Sequence, residues 1–360
     1  MSACLMSLTY GNWMAGQLGI GWRIDADNQA LLTGYDPQAM VDDVLEVPGV
    51  SYVIFNLSDP AYGDNYLAPH SVLDAINDGL NPYTGFPDPA YVDNPAGLPS
   101  PVSGRDLFGE MAQLFQDNGI KVIAYMATQG PTMLKHGLNS GNVYDAIEDP
   151  VTGDVTSVSY DNWEAFVKNE YGITGTPTYD DYTRAYAEVI VDEYAARYGA
   201  LIDGYWFDNG TMDAALLKSI IETHNPNVVA TYNSQSGLSD YADGHPTPVV
   251  QERASNDINY DYLIKPVECS QDGYIDHDGG VSLGHAFMML QWRWNSGELV
   301  WLNEEGGDYT NGKDIDDNGQ VGDQLTDKAA DWMERMLNAG GAWTWNLDVG
   351  DVVELSLIHI

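Results

Sequence analysis

A chain of 360 residues with 54 acidic and 14 basic side chains carries a formal net charge of −40. A field of that sign repels nucleic acid and anionic membranes, so neither is an expected partner, and it keeps a protein soluble where salt screens its self-repulsion. It reads as the surface of a marine or halophilic protein, or of an acidic secreted one. Hydrophobic residues make up 44%, so the chain can bury a full core despite its charge, and its length suits one large α/β barrel or two ordinary domains.

No apolar run approaches the ~18 residues of a membrane span. The N-terminus shows no basic segment followed by an apolar stretch, so a secreted or cell-surface protein would have lost its signal. The two cysteines, Cys4 and Cys269, imply no disulfide framework, and a single bridge stays open. Ten Trp, 23 Tyr and 37 Gly are unusual. Flat rings among polar loops suit sugar binding, and the same rings also suit a core.

Short apolar runs predict eight strands, over 18–24, 51–57, 121–127, 202–207, 228–232, 249–252, 286–294 and 342–347. Most are apolar nearly throughout, as buried parallel strands are. Helical patterns fall over 37–45, 105–117, 179–198, 212–224 and 326–338, each with a plausible stop signal such as Asn118-Gly119, Gly199, Asn225-Pro226 or Gly340-Gly341. Strands alternating with helices argue a parallel α/β fold, and eight strands in this length favour a closed (β/α)8 TIM barrel. No glycine-rich dinucleotide loop follows the first strand. Three long insertions, 59–104, 128–178 and 295–325, all follow strands and so fall on the C-terminal face, where barrel sites are built. Neither a repeat nor a linker divides the chain, so one catalytic domain is expected over 1–354, with 355–360 a tail outside the fold.

The strongest local signal is Ile202-Asp203-Gly204-Tyr205-Trp206-Phe207-Asp208-Asn209-Gly210. An apolar, aromatic strand ends in a carboxylate and then turns at Asn-Gly. At a barrel strand end such a carboxylate points into the site; the plainer reading is a turn or capping Asp. Two-carboxylate glycoside chemistry needs a partner. Glu252, closing Pro248-Val249-Val250-Gln251-Glu252, is the best candidate, and its alternative is a loop Glu paired with an Arg. Glu304 and Glu305 are the fallback.

Several segments resemble the α-L-fucosidase superfamily, glycoside hydrolase family 29 and its relatives. Val50-Ser51-Tyr52-Val53-Ile54-Phe55-Asn56-Leu57-Ser58 resembles its second strand. Arg105-Asp106-Leu107 followed by Asn118-Gly119-Ile120-Lys121-Val122-Ile123-Ala124-Tyr125 resembles its next helix and third strand. Asp203-Gly204-Tyr205-Trp206-Phe207-Asp208 is similar to its nucleophile strand, the most specific of these matches. Gly341-Ala342-Trp343-Thr344-Trp345-Asn346-Leu347-Asp348 is similar to its last strand. The family's paired-His segment is missing, and a lone His70 stands near its place. Long aromatic loops replace the small closed pocket of the exo-enzymes. The chain is therefore closest in character to the endo-fucanases of family 168, which cut sulfated marine polysaccharides.

The resemblance implies a retaining mechanism with Asp208 as nucleophile and Glu252 as acid/base, and no catalytic cofactor. Asp208 has to be ionised, with Asn233 or Tyr125 as nearby donors. Glu252 has to hold its proton until used, which burial or a neighbouring carboxylate favours. In some relatives a His is the acid, and His70, His136 and His285 are candidates for that role. Trp206, Trp292, Trp294 and Trp345 are candidate stacking platforms or core. Arg253 and Arg293, with Lys265 nearby, suit sulfate or carboxylate oxygens on a sulfated polysaccharide, or ion pairs with the abundant Asp.

Asp314-Ile315-Asp316-Asp317-Asn318-Gly319 matches the first half of a calcium loop, with Asp323 or Asp327 in place of the usual closing Glu. It reads as a structural Ca2+ site or a solvated acidic turn. The readings in competition are an endo-fucanase with an open groove, an exo-α-L-fucosidase with a closed pocket, and a non-catalytic sugar-binding barrel.

Overall fold

The computed structural model describes residues 4–8, 36–46, 49–58, 66–93, 104–127, 131, 146–148, 155–208, 212–232, 237–241, 261–270, 272–277, 280–289, 291–292, 300–301 and 323–346. At 4–8, 43, 56, 127, 146–148, 155–157, 261–263, 277, 286–289, 291–292, 300–301, 323–330 and 344–346 it gives the backbone course alone.

Among the described residues the frame is an all-parallel sheet of seven strands. In chain order these are β1 (Cys4–Leu8), β2 (Val50–Asn56), β3 (Lys121–Ala127), β6 (Gly204–Asp208), β7 (Val229–Tyr232), β10 (His285–Met289) and β13 (Ala342–Asn346), paired in the order β10-β13-β1-β2-β3-β6-β7. Three antiparallel ribbons sit apart from it: β4 (Ala146–Glu148) with β5 (Val155–Ser157), β8 (Tyr274–His277) with β9 (Gly280–Leu283), and β11 (Gln291–Trp292) with β12 (Val300–Trp301). The strand expected over 286–294 is thus two, β10 in the sheet and β11 in a ribbon. The place between β2 and β13 belongs to Cys4–Leu8, a segment without β-branched residues that periodicity does not reveal. The strands expected over 18–24 and 249–252 lie outside the described residues.

Five helices stand close to where their stop signals predict: α1 (Pro37–Leu45), α3 (Leu107–Asp117), α5 (Tyr179–Ala185) running on into α6 (Asp192–Tyr198), α7 (Ala214–His224) and α9 (Asp323–Asn338). Asp106 and Asp213 cap α3 and α7 through side-chain oxygens that accept from Gly109 N and Leu216 N. The turn joining α5 to α6 widens to a π-helical course over Tyr186–Val191. Three helices were hidden in stretches read as loops: α2 (Ser71–Asn77), α4 (Val158–Tyr171) and α8 (Asp261–Ser270). The core residues Tyr160, Trp163, Phe166 and Val167 line one side of α4 at helical spacing.

Side-chain alternation divides the core in two. Val53, Phe55, Val122, Ala124, Met126, Tyr205, Phe207, Ala230, Tyr232 and Trp343 pack outward with Met40, Val41, Phe108, Phe115, Tyr194, Leu217, Ile221 and Met336 of the helices. Tyr52, Ile54, Ile123, Tyr125, Trp206 and Ala342 form a separate inner cluster, joined by Tyr241. Burial on both faces is why the strands read as near-continuous apolar runs.

The sheet is strongly curled. Trp206 on β6 and His285 on β10 are five strand steps apart in the pairing order, which a flat sheet would spread over roughly 24 Å. Their ring centroids are 5.9 Å apart. The two edge strands are also tied through one short segment. Asp240 N donates to Ala230 O at 2.8 Å, and Leu283 N, just before β10, donates to Asp240 O at 3.0 Å. Among the described residues no helix is long and apolar enough to cross a membrane, and Cys269 is exposed with a free thiol.

Candidate active site

Asp208 closes β6, and every residue of that strand is buried. Gly204 opens it because there is no room for more: a Cβ there would meet Val229 O and Val229 Cγ2 at 3.0 Å and Ile123 Cγ1 at 3.2 Å. Close approach of β6 to its neighbours fixes the alternation that follows. Tyr205 and Phe207 face the helices, their rings stacked 5.4 Å apart, with Phe207 5.6 Å from Tyr232. Trp206 belongs to the inner cluster, and Asp208, two residues on, shares its face.

The Asp208 carboxylate is 6% exposed. Its Oδ2 accepts a hydrogen bond from the Tyr125 hydroxyl. Tyr125 pairs with Trp206 in the β3–β6 register and Ala127 with Asp208, so the tyrosine reaches one two-residue step toward the C-terminal end. Its ring lies 6.1 Å from the Trp206 ring. Its own carbonyl accepts from Leu57 N at 3.0 Å and Ser58 N at 3.4 Å, which anchors the first turn after β2 to the same place. On the far side of β6, Thr231 pairs with Trp206; it is 0% exposed, and its hydroxyl has no partner among the described residues.

The structure therefore brings together Tyr125, Trp206 and Asp208. Trp206, 1% exposed, is the packed floor under the carboxylate and not an open stacking surface. His285 is buried on the inner face, edge-on to Trp206 and to Tyr241, whose ring is 5.7 Å away. Sequence reasoning missed Thr231, Tyr52 and Tyr241 as part of this interior. The period-2 pattern could have shown the first two once Trp206 was assigned inward.

His70 is placed elsewhere. It caps α2, its Nδ1 accepting from Leu73 N at 3.2 Å, and it packs edge-on to Tyr194 at 5.1 Å. Its Nε2 is 3.4 Å from Glu193 Oε2. Burial, opposed by the Glu193 carboxylate, pulls its pKa down to about 4. A fully buried, neutral helix cap cannot serve as the sugar contact expected of it, because no face of the ring reaches solvent.

Of the other expected residues, Trp292 pairs with Val300 in the β11–β12 ribbon, Trp345 pairs with Met6 and Met288 in the sheet, and Asp323 is the first residue of α9. Asn233, Glu252, Arg253, Arg293, Trp294, His136, Asp314, Asp316 and Asn318 lie outside the described residues. Among the described residues no group of three His, Cys, Asp or Glu side chains could hold a metal ion.

A curled parallel sheet with a buried carboxylate at a strand's C-terminal end is where α/β folds commonly build an enzyme site. Residues 9–233 match the family described as "Endo-alpha(1,4)-fucoidanase Mef1", and the chain belongs to that family. The matched stretch contains Tyr125 and Asp208 and ends before Glu252. No curated protein matches by sequence.

Solved structures agree in fold. An endo-fucoidan hydrolase of glycoside hydrolase family 107, P5AFcnA, superposes with a TM-score of 0.60 at 16% identity, over 96% of this chain and 85% of that one. A second family 107 enzyme, MfFcnA4, gives 0.58 at 17% identity, over 98% of this chain but only 50% of its own length. An α-L-fucosidase, AlfC, in complex with 4-nitrophenyl-α-L-fucopyranoside gives 0.50 at 14% identity, over 98% and 92%. The fucan-directed part of the sequence resemblance is supported at this level; the particular assignment to family 29 or 168 is not.

Proposed function

We propose that the chain is a retaining, endo-acting fucoidanase that cuts α-L-fucosyl linkages within sulfated fucan. The observation that carries this reading is the buried Asp208 carboxylate, held by the Tyr125 hydroxyl at a strand end inside the family-matched stretch. The curl of the sheet and the tie through Asp240 support a closed (β/α)8 barrel, with the strand expected over 249–252 completing it. In that barrel Glu252, at the end of its expected strand, is the candidate acid/base on the C-terminal face.

In this reading an Asp208 oxygen attacks the anomeric carbon as the glycosidic C–O bond breaks. Glu252 gives its proton to the departing oxygen. Water then attacks the same carbon, yields its proton to Glu252 and releases Asp208. Two displacements return the original configuration. The two carboxyl groups then stand about 5–5.5 Å apart. Arg253 and Arg293 meet sulfate oxygens, and Trp292 and Trp294 supply stacking surfaces along the groove, whereas Trp345 shares the outward face of Trp343. Oxygen donors at alternate positions of Asp314, Asp316 and Asn318, with Asp323, support a structural Ca2+. A polymeric extracellular substrate fits a secreted enzyme.

The test is product size and reducing ends from sulfated fucan, with an aryl α-L-fucoside assayed in parallel. Rapid loss of polymer size with a silent aryl substrate is the expected result. Aryl cleavage without depolymerisation would make the enzyme an exo-fucosidase, and silence on both would remove fucan as the substrate.

A further inference from the structure

We infer that the loop following α2 carries a second carbohydrate-binding site, separate from Asp208, that takes unsulfated pyranose units of a polysaccharide. This rests on the polysaccharide reading above. Two large aromatics on this loop stand in water: Tyr83 is 67% exposed and Phe86 71%. Neither belongs to a swinging tail. Asn81 N donates to Phe86 O and Gly85 N to Asn81 O, both at 2.8 Å. The Asn81 side chain accepts from Tyr83 N at 3.0 Å and Thr84 N at 3.1 Å and donates to Asp88 at 3.0 Å. Gly85, at φ +69°, makes the turn. The Tyr83 hydroxyl is fixed to Glu170 on α4 at 2.5 Å, and its ring lies 6.5 Å from that of Phe166.

The loop thus spends its hydrogen bonds on holding two rings outward instead of burying them. Rigid, exposed rings are pre-organised for a ligand with a flat apolar face, and a pyranose C–H face is one. The polar groups beside them, Asp88, Glu170 and Asn81, are hydroxyl acceptors and donors. Among the described residues no cation pairs with them, so their negative charge disfavours sulfate esters and favours unsulfated units. A protein partner fits poorly: two rings fall far short of the ~800 Å² per side of a stable interface, and charge is depleted at such interface cores. A polymer long enough to reach both places gains avidity from the second one.

Affinity electrophoresis through gels of desulfated or native fucan tests this, using the Asp208→Asn protein so that the polymer survives. The part of the retardation that runs through Phe86 should be larger on desulfated than on native fucan, whose sulfates the cleft of Asp208 also binds. Adding Phe86→Ala should weaken that retardation at least about threefold, and adding Phe86→Tyr instead should preserve it. In the active enzyme Phe86→Ala should raise KM on the polymer and leave turnover of short oligosaccharides unchanged. Retardation independent of Phe86, or stronger with sulfated polymer through Phe86, overturns the inference. A dimer seen by sedimentation that Phe86→Ala dissolves overturns it too, since the occupant is then a second copy. Should the enzyme cleave no fucan while Phe86-dependent retardation persists, the function reading fails and the binding site stands.

Discussion

Tyr125 and Asp208 lie 83 residues apart in sequence and meet by a hydrogen bond from phenol to carboxylate, across two adjacent parallel strands. A bond to a charged acceptor contributes about 1.5–3 kcal/mol, and here it also fixes which way the carboxylate points. Tyr125→Phe should therefore lower kcat by about 10- to 100-fold with little change in KM, since each ~1.4 kcal/mol is tenfold. Steady-state kinetics on fucan oligosaccharides would show this. An unchanged kcat would mean that the phenol holds Asp208 only in the resting protein.

Asp208→Asn should abolish turnover, by at least about a thousandfold, while leaving thermal unfolding near that of the parent, because the amide keeps the shape and still accepts from Tyr125. Asp208→Ala offers a sharper check on the nucleophile. With added azide it should form a glycosyl azide of inverted configuration, detectable by NMR. Residual hydrolysis in Asp208→Asn close to the parent rate would place the nucleophile elsewhere.

The His70 environment predicts a pH-dependent stability. The folded pKa, about 4 through burial, lies below the ordinary ~6.5. The unfolded chain therefore takes up the proton first as pH falls. Stability from this group is complete above about pH 6.5 and is lost progressively down to about pH 4, by on the order of 3 kcal/mol at most. His70→Asn keeps an acceptor for Leu73 N and removes the titration. Urea midpoints between pH 7 and 4.5 should fall less steeply for that variant. Parallel slopes would show that other groups govern acid sensitivity.

Gly204→Ala should destabilise the fold by about 1–3 kcal/mol, because the added methyl meets the Val229 carbonyl and the Ile123 side chain within 3.0–3.2 Å. Relief would come by pushing β6 away from β3 or β7, so activity should drop with stability as Asp208 moves from Tyr125. Differential scanning calorimetry with parallel kinetics would detect both. A neutral effect would mean that the strand ends shift freely.

Much of the frame was legible from the amino acids. The runs at 121–127, 228–232 and 342–347 became β3, β7 and β13 almost residue for residue, since a strand buried on both faces must be apolar throughout. Helix stops at Asn118-Gly119 and Gly199 were legible because glycine there takes φ +75° and +47°. Cys4–Leu8 was not, because five residues without a β-branched side chain carry no periodic signal. The helix α4 was hidden among aromatic residues that read equally well as a sugar-binding loop.

The sequence by itself determined that Asp208 ends a buried strand, since local pattern alone decides where an apolar run gives way to a carboxylate and a turn. Only the tertiary structure decided its company. Register set Tyr125 within reach of it and Thr231 opposite Trp206. The curl of the sheet carried His285 over five strands to meet Trp206. Packing against Tyr194 and Glu193 buried His70 as a helix cap. Each of these is a long-range pairing, fixed by which strands and helices become neighbours, and no local pattern of residues encodes that on its own.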